Sequence, residues 1–285
     1  MEDHLVIATA NQSTIRIYAA LTAGVVEEAR KIHETWPTAT AAFGRVLTGT
    51  LMMGVMNDSL KRLTVTVSGN GPIGRILAVS NERGQVKGEI DHPKVDLEPN
   101  RFGKLDVGGA VGSGELMVLK DLGLKDPYQG VVPLQNGEIA EDFAYYFTKS
   151  EQTPSAVALG VLVNPDGTVQ TAGGLIVQLL PGSTEATITA LEQKLHNLPR
   201  LTEMLAEGIS PTELITLIAP EPESVKILEQ LNVKYYCDCS WERFRGPLLS
   251  LDPGEIGNIL HEQGQVEVRC HFCNKLYHYQ ENQLK

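Results

Sequence analysis

Cys237-Asp238-Cys239 and Cys270-His271-Phe272-Cys273 are the two stretches that decide how the C-terminal part of the chain folds. The segment 240–269 separates them, and the chain before Cys237 contains no cysteine. Zn²⁺ prefers four soft ligands in a tetrahedron, at zinc–sulfur distances of about 2.3 Å, and two closely spaced cysteine pairs from separate turns can supply them. The pattern therefore predicts one Zn²⁺ site whose four ligands are Cys237, Cys239, Cys270 and Cys273.

The segment around these cysteines, residues 233–285, is predicted to be a separate small zinc-binding domain. A domain of about 50 residues buries too little apolar surface to be stable on its own core, so a metal that links distant segments is expected. Loss of the metal should unfold such a domain, because metal binding and folding are coupled. His271 and His278 are neighbouring candidate ligands, but four cysteines already complete a closed tetrahedral site.

The same cysteines also suit redox chemistry. Zinc-bound cysteines are thiolates, the form that oxidants attack, and each pair is close enough in sequence to close on itself as a disulfide. A Cys-x-Cys ring is small and strained, and strained disulfides are readily reduced again. Spacing alone leaves two interpretations open, a purely structural zinc site and a reversible switch that releases zinc when the cysteines are oxidised.

The composition narrows the class of protein. The chain has 285 residues and a formal net charge of -11, and an acidic protein repels phosphate backbones, so nucleic acid is not an expected partner. No apolar run approaches the roughly 18 residues of a membrane-spanning helix, so no membrane association is expected. The stretch Met1-Glu2-Asp3-His4 lacks the basic region of a signal peptide. The expected location is cytoplasmic, where clustered cysteines more often bind metal or respond to redox conditions than form permanent disulfides.

Residues 1–180 are predicted to form an α+β core domain with a mixed sheet. Strict alternation of apolar and polar side chains, clearest in Leu63-Thr64-Val65-Thr66-Val67-Ser68, predicts half-buried strands. Many strands with few helices between them favour α+β over a doubly wound sheet. Helices are predicted at residues 25–35, 38–56 and 139–149. Strands are predicted at residues 5–8, 14–18, 63–68, 73–79, 85–90, 105–111, 115–120, 130–134, 156–163 and 169–179.

Residues 181–232 are predicted to form a helical linker. Apolar residues recur in its first part at steps of three and four, which is typical of an amphipathic helix or a broken pair of helices. These residues are Ile188, Leu191, Leu195, Leu198 and Leu201. Ser210-Pro211-Thr212-Glu213 has the spacing of a capping box and places proline in the first helical turn. A further short helix is predicted at residues 222–231.

Several motifs that resemble catalytic or nucleotide-binding sites have simpler interpretations. Gly69-Asn70-Gly71-Pro72-Ile73-Gly74 matches G-x-G-x-x-G, but the residues after it are typical of a strand and not of the helix that a dinucleotide site requires. The glycine-rich stretch 108–114 is interpreted as a bend between strands. Glu141, Asp142 and Glu151 are interpreted as solvated or helix-start acids. The chain is therefore not expected to be an enzyme.

The cysteine pattern and several stretches of the core domain resemble one known family. Two such cysteine pairs, with an intervening segment as long as 240–269, are similar to those of the redox-regulated, zinc-dependent holdase chaperones, the heat-shock proteins of the thirty-three-kilodalton class. The resemblance extends over nearly the whole chain. Outside the cysteines, the stretches that carry the resemblance are Gly71-Pro72-Ile73-Gly74, Gly103-Lys104-Leu105-Asp106-Val107, Lys120-Asp121-Leu122-Gly123, Ser150-Glu151-Gln152-Thr153-Pro154-Ser155 and Ala172-Gly173-Gly174.

The resemblance implies a mechanism. In the reduced state the four thiolates hold one Zn²⁺, and chaperone activity is low. Oxidation, helped by heat, is expected to join Cys237 to Cys239 and Cys270 to Cys273, with release of zinc and unfolding of the C-terminal domain. The linker then loosens, and newly exposed apolar surface binds unfolding client proteins without ATP. Active forms are expected to be homodimers.

The predicted client contacts are the apolar linker residues Ile188, Leu191, Leu195, Leu198 and Leu201. The alternative is that these side chains pack on the core in both states. Two other classes of function compete with the chaperone. A zinc-ribbon module would bind nucleic acid or protein, but residues 233–285 carry six basic against seven acidic side chains, which argues against a phosphate-binding surface. A thiol–disulfide oxidoreductase would use the cysteines for turnover.

Overall fold

The α+β class predicted from the sequence is confirmed in the computed structural model of the protein, which describes residues 2–284. The chain divides into two units, Met1–Tyr235 and Tyr236–Lys285. The first unit holds two large sheets and the second holds a two-stranded sheet. In the described residues, no helix combines the length and the apolar character that a bilayer crossing requires.

The first unit is built on two sheets. Its strands are β1 (His4–Ala10), β2 (Ile15–Leu21), β3 (Arg62–Gly69), β4 (Arg75–Ser80), β5 (Gln85–Ile90), β6 (Gly114–Asp121), β7 (Tyr128–Pro133), β8 (Ser155–Val163), β9 (Val169–Leu179), β10 (Lys226–Asn232) and β11 (Lys234–Tyr235). Within residues 2–284, the strand orders are β10-β1-β2-β9-β8 in the five-stranded sheet and β11-β5-β4-β3-β6-β7 in the six-stranded sheet. In β3, Leu63, Val65 and Val67 point into the core, as the alternation predicts.

A central helix separates the two sheets. The helices of this unit are α1 (Ala23–His33), α2 (Pro37–Gly54), α3 (Val107–Val111), α4 (Ala140–Lys149), α5 (Glu185–His196), α6 (Leu201–Ala206) and α7 (Pro211–Ile218). Helix α2 contacts β3, β4 and β5 of one sheet and β8 and β9 of the other. Every residue of α2 except Pro37 and Arg45 is buried, because the helix is rich in small and apolar side chains and is packed on all sides.

A second apolar core lies on the other face of the five-stranded sheet, where α5, α6 and α7 cover it. In β1, Leu5 and Ile7 belong to the core around α2, whereas Val6 and Ala8 belong to this second core. Both faces of the strand are therefore buried. Helix α7 starts at the predicted capping box, in which the Ser210 N–H donates to the Glu213 carboxylate at 2.8 Å.

The helix predicted at residues 222–231 is wrong. A single 3₁₀ turn, Pro222–Ser224, is followed by β10, which pairs antiparallel with β1. The spacing of Ile227, Leu228 and Leu231 is also typical of a helix. Strand β10 is instead an exposed edge strand, and its partner β1 lies near the start of the chain. Long-range pairing of this kind overrides local propensity.

The strand predicted at residues 105–111 is also wrong, and with it the bend predicted at 108–114. Residues Val107–Val111 form the short helix α3. The Asp106 carboxylate caps it by accepting the Gly109 N–H at 3.1 Å. Gly112 ends it with a φ of 75°, a conformation that glycine adopts without strain.

The second unit consists of two helices followed by a hairpin. Its elements are α8 (Trp241–Leu248), α9 (Pro253–Gln263), β12 (Val266–Arg269), β13 (Leu276–Tyr279) and the 3₁₀ turn Glu281–Gln283. Asp252 caps α9 by accepting the N–H groups of Gly254 and Glu255, and Gly264 ends it in the left-handed conformation. Strands β12 and β13 are antiparallel.

Candidate metal centre

The β12–β13 hairpin positions Cys270 and Cys273. Cys270 directly follows β12, and Cys273 lies in the turn that leads to β13. The Cys270 N–H donates to the Lys275 carbonyl at 3.0 Å, and the Asn274 N–H donates to the Cys270 carbonyl at 2.8 Å. Asn274 has a φ of 57°, which asparagine tolerates better than most residues. This tight turn brings the two sulfurs into one cluster.

Cys237 and Cys239 lie just before α8. The Ser240 hydroxyl caps that helix by accepting the Arg243 N–H at 3.2 Å. The Arg243 guanidinium donates to the Asp238 carbonyl at 3.1 Å and forms an ion pair with the Asp238 carboxylate. The residue between the two cysteines is thus tied to the first turn of α8, which fixes the direction of the segment.

The four cysteine sulfurs form one cluster. All four Sγ atoms lie within 4.8 Å of one another. Cys237 Sγ is 3.6 Å from Cys270 Sγ, and Cys239 Sγ is 3.3 Å from Cys273 Sγ. Four sulfurs at about 2.3 Å from a tetrahedral zinc ion would lie about 3.8 Å from one another. The cysteines are free thiols, buried at Cys270 and half-buried at the other three positions, so the donor set and its spacing fit a closed zinc site.

A cation is needed to stabilise all four cysteines of the cluster as thiolates. Burial raises the pKa of the Cys237 thiol well above its usual value and raises the pKa of Cys273 to about 11. At Cys239 burial acts in the same direction, but hydrogen bonds from Tyr277 and the other cysteines outweigh it and lower the pKa. Adjacent thiolates repel one another, so the cluster alone does not hold four negative sulfurs. A divalent cation offsets that repulsion and binds the deprotonated form.

A small aromatic core supports the cluster. The Trp241 and Tyr279 rings stack at 4.9 Å between centroids, and the Tyr279 hydroxyl donates to the Trp241 carbonyl at 2.7 Å. The Phe244 ring lies 5.3 Å from the Tyr277 ring. The Tyr277 hydroxyl lies 3.1 Å from Cys239 Sγ. Helix α8 and strand β13, which flank the two cysteine pairs in sequence, are thereby held together by side chains that touch the cluster.

The alternative ligands lie outside the cluster. His271 and His278 are exposed, and His278 Nδ1 is 3.8 Å from the Glu267 carboxylate. Within the described part of the chain, the four cysteines are the one group of three or more histidine, cysteine or acidic side chains that could hold a metal ion. Cys270 and Cys273 lie in a hairpin turn and not at the start of a helix, which a thioredoxin-type motif requires.

Comparisons with known proteins cover the whole chain. The family model described as Hsp33 protein matches residues 3–280. This chain belongs to the Hsp33 family. Two Hsp33 relatives are each named 33 kDa chaperonin. The one from Geobacillus kaustophilus (strain HTA426) is 48% identical over 100% of this chain and 97% of its own length, and the one from Staphylococcus aureus (strain Newman) is 46% identical over 99% and 96%.

Solved structures agree with this assignment. A crystal structure of the 33 kDa chaperonin from Thermotoga maritima, a heat shock protein 33 homolog, matches this chain with a TM-score of 0.92 and 38% identity. The match covers 100% of this chain and 97% of that chain. The family resemblance stated from the cysteine spacing and the core-domain stretches is thereby confirmed.

Four of the five predicted client contacts of this Hsp33 protein, all except Ile188, lie in or against the second apolar core. Leu191 is 4% exposed, and Leu195, Leu198 and Leu201 are half-buried against the same core. These three leucines line a cavity of about 230 Å³ together with residues of β8 and β9. Ile188, on α5, is half-buried. The five residues are therefore largely covered in this structure, and their contact with clients stays a prediction.

The structure also places the other residues that the sequence singled out. Residues 69–74 form a turn between β3 and β4, as predicted. Asp142 is a helix-start acid that is completely buried, and its carboxylate accepts the Gln135 and Ile139 N–H groups. Sequence reasoning missed Tyr277. Its alternation with Tyr279 on β13 was the available signal, since every second residue of a strand faces the same side.

Proposed function

We propose that this chain is an ATP-independent chaperone, a holdase that binds unfolding proteins and prevents their aggregation under oxidative and heat stress. Membership of the Hsp33 family and relatives named 33 kDa chaperonin support a chaperone. The observation that carries the redox part is the convergence of four free cysteine sulfurs within 4.8 Å, in a unit of the chain with little core of its own.

In the reduced, inactive state, Cys237, Cys239, Cys270 and Cys273 hold one Zn²⁺. When bound, the ion supplies positive charge that keeps the four sulfurs as thiolates and a cross-link between two segments of the unit. The hairpin turn and the Asp238–Arg243 pair orient the two cysteine pairs toward a common centre. Orientation by such neighbouring contacts is what a metal site needs besides its ligands.

Activation replaces these ligands with disulfides. Cys237 joins Cys239 and Cys270 joins Cys273. In each reaction two thiolates give up two electrons to one molecule of hydrogen peroxide, whose O–O bond breaks and which is reduced to two hydroxide ions. Disulfide sulfurs carry no negative charge, so the metal leaves. In the described residues of Tyr236–Lys285 only Val266, Cys270, Tyr277 and Tyr279 are buried, and this core is too small to hold the unit without the metal.

Loss of structure then spreads to the preceding segment. The cysteines follow β10 and β11 directly in the chain, and β10 is an edge strand held by its pairing with β1. Loosening of residues 181–232 uncovers the apolar face that α5, α6 and α7 cover, including Val6, Ile17 and Val177. Ile188, Leu191, Leu195, Leu198 and Leu201 become available on the helices. Large, newly exposed apolar patches bind other proteins.

The remaining properties follow from the same proposal. Residues 1–180 form the core domain, 181–232 the linker and 233–285 the redox-switch domain. The protein works in the cytoplasm, where thiols are kept reduced until stress, and its active form is a homodimer. Nucleic acid and membranes are not partners, in keeping with the net charge of -11.

Zinc release measured alongside client binding tests this function. The zinc-loaded protein is treated with peroxide at elevated temperature, free zinc is followed with a coloured chelator, and capture of an unfolding client is assayed at each time point. Capture that rises in step with zinc release and saturates at a fixed molar ratio supports the switch. Catalytic reduction of insulin disulfides with the metal retained would instead identify an oxidoreductase, and a shift of labelled DNA or RNA would identify a zinc-ribbon module.

A further inference from the structure

Three of the four sulfurs, those of Cys237, Cys239 and Cys273, have different hydrogen-bond donors. The Cys239 backbone N–H donates to Cys237 Sγ, and the Lys275 backbone N–H donates to Cys273 Sγ. At Cys239 the group that lies against the sulfur is a side chain, the Tyr277 hydroxyl, at 3.1 Å. Tyr277 is 6% exposed, so water does not compete freely for this hydroxyl.

The Tyr277 hydroxyl is held in place from several sides. Its ring packs against Phe244, the Lys275 ammonium lies 5.1 Å from the ring centroid, and Tyr277 pairs with Val268 across the hairpin. The hydroxyl also donates to the Cys239 carbonyl at 3.1 Å. A deprotonated sulfur can only accept a hydrogen bond, so in the metal-bound state the hydroxyl is a donor shared between the Cys239 carbonyl and the Cys239 sulfur.

We propose that Tyr277 is a positioning residue that holds the Cys239 sulfur as a metal ligand and slows its reaction with peroxides. The inference rests on the proposed zinc site. A hydrogen bond to a thiolate withdraws electron density from the sulfur, which stabilises a centre of four negative sulfurs and one divalent cation. Neighbours that hydrogen-bond to metal ligands typically change metal affinity by about 10–100-fold when they are removed.

The same hydrogen bond acts on the oxidation of Cys239. The thiolate sulfur attacks one oxygen of hydrogen peroxide, the O–O bond breaks, hydroxide leaves, and Cys239 becomes a sulfenic acid. The Cys237 thiolate then attacks that sulfur and displaces a second hydroxide, which forms the Cys237–Cys239 disulfide. Because the hydroxyl lowers the electron density on Cys239 Sγ, its loss should make the first step faster.

The test compares Tyr277→Phe with Tyr279→Phe in the full chain. Tyr279 is the matched control, because it is a buried tyrosine on the same strand and its hydroxyl donates to the Trp241 carbonyl and not to a sulfur. Co²⁺ is the spectroscopic probe, since cobalt bound by four thiolates shows sulfur-to-metal charge-transfer absorption. We expect Tyr277→Phe to move this band to longer wavelength at saturating Co²⁺, to weaken Zn²⁺ binding about tenfold, and to speed the reaction with peroxide.

Each outcome supports or overturns the assignment. An unchanged band and unchanged affinity in Tyr277→Phe overturn it, and so do equal changes in both variants, because those would reflect general packing. If Tyr277→Phe does not load metal, para-aminophenylalanine at position 277 decides: its amine can donate, so recovery of loading supports the role and no recovery overturns it. Failure of the unaltered protein to bind Co²⁺ or Zn²⁺ would instead refute the proposed zinc site itself.

Discussion

Removal of the metal should unfold residues 236–285 while the core domain, residues 1–180, stays folded. The perturbation is a strong zinc chelator added to the reduced protein. The second unit depends on the metal because its apolar interior is small. Among its described residues, only Val266, Cys270, Tyr277 and Tyr279 are buried. In the first unit, a single helix, α2, already buries more residues than that, because it is buried along nearly its whole length.

The expected size of the effect follows from typical values. Structural zinc contributes about 10–16 kcal/mol to the folding of small zinc-binding peptides, and a small domain is typically stable by about 5 kcal/mol. The metal-free unit should therefore favour the unfolded state by about 5–11 kcal/mol. At about 1.4 kcal/mol per factor of ten, the unfolded form should exceed the folded form by more than about a thousandfold.

Tryptophan fluorescence can follow this unit alone. The chain has two tryptophans, Trp36 in the first unit and Trp241 in the second. A Trp36→Phe variant leaves Trp241, whose ring stacks on Tyr279 at 4.9 Å, as the only tryptophan emitter. Chelation should shift its emission to longer wavelength and abolish hydrogen-exchange protection in β12 and β13. The amides of β3 and β9 should keep their protection.

Zinc removal without unfolding of residues 236–285 would contradict this prediction. If metal analysis shows complete removal of zinc, and Trp241 emission and the protection of β12 and β13 do not change, then the second unit folds without the metal. Zinc release could then not drive unfolding, and the proposed coupling between oxidation and exposure of apolar surface would fail at its first step.

Two further predictions address the first unit. Leu191→Ala truncates a side chain that is 4% exposed, so it should lower the free energy of unfolding by about 2–5 kcal/mol. This change should loosen α5 and raise client capture by the reduced, zinc-loaded protein. Leu217→Ala, at a position 44% exposed, is the matched control, and equal capture by both variants would argue against client contacts in this core. Glu27 has a pKa lowered to about 2, chiefly by hydrogen bonds from Arg30, so its stabilisation is complete above about pH 4.5 and lost as the pH falls toward about 2. The Val169 N–H donates to the Glu27 carboxylate at 3.0 Å. Glu27→Gln should therefore reduce the hydrogen-exchange protection of the Val169 amide by about 1–3 kcal/mol at pH 7 and by little near pH 2. Glu28→Gln, at an exposed position, is the control and should change this protection little at either pH.

The sequence predicted local features well where local patterns decide the structure. Alternation placed β3, and proline with a capping box placed the start of α7 at Pro211. The two cysteine pairs predicted a cluster because tetrahedral metal binding demands convergence of short-spaced ligands. In each case the information lies within a few residues or in the chemistry of one ion.

Features that depend on distant partners could not be predicted in this way. Strand β10 forms because its backbone pairs with β1, and its exposed side chains give no alternation to recognise. Helix α3 is short and depends on the Asp106 cap, while its glycines suggest a bend. The contact between Tyr277 and Cys239 joins two residues that are far apart in the sequence and becomes visible only once the hairpin is folded.

The most direct test of the chaperone proposal is light scattering from a heat-unfolding client protein. The protein is added either reduced and zinc-loaded or oxidised with peroxide at elevated temperature, and a third sample is oxidised and then treated with a thiol reductant and zinc. The proposal predicts that only the oxidised sample suppresses scattering, at a fixed molar ratio to the client, and that reduction abolishes the effect. Equal scattering curves for the reduced and oxidised samples would contradict it and would leave the four cysteines as a purely structural metal site.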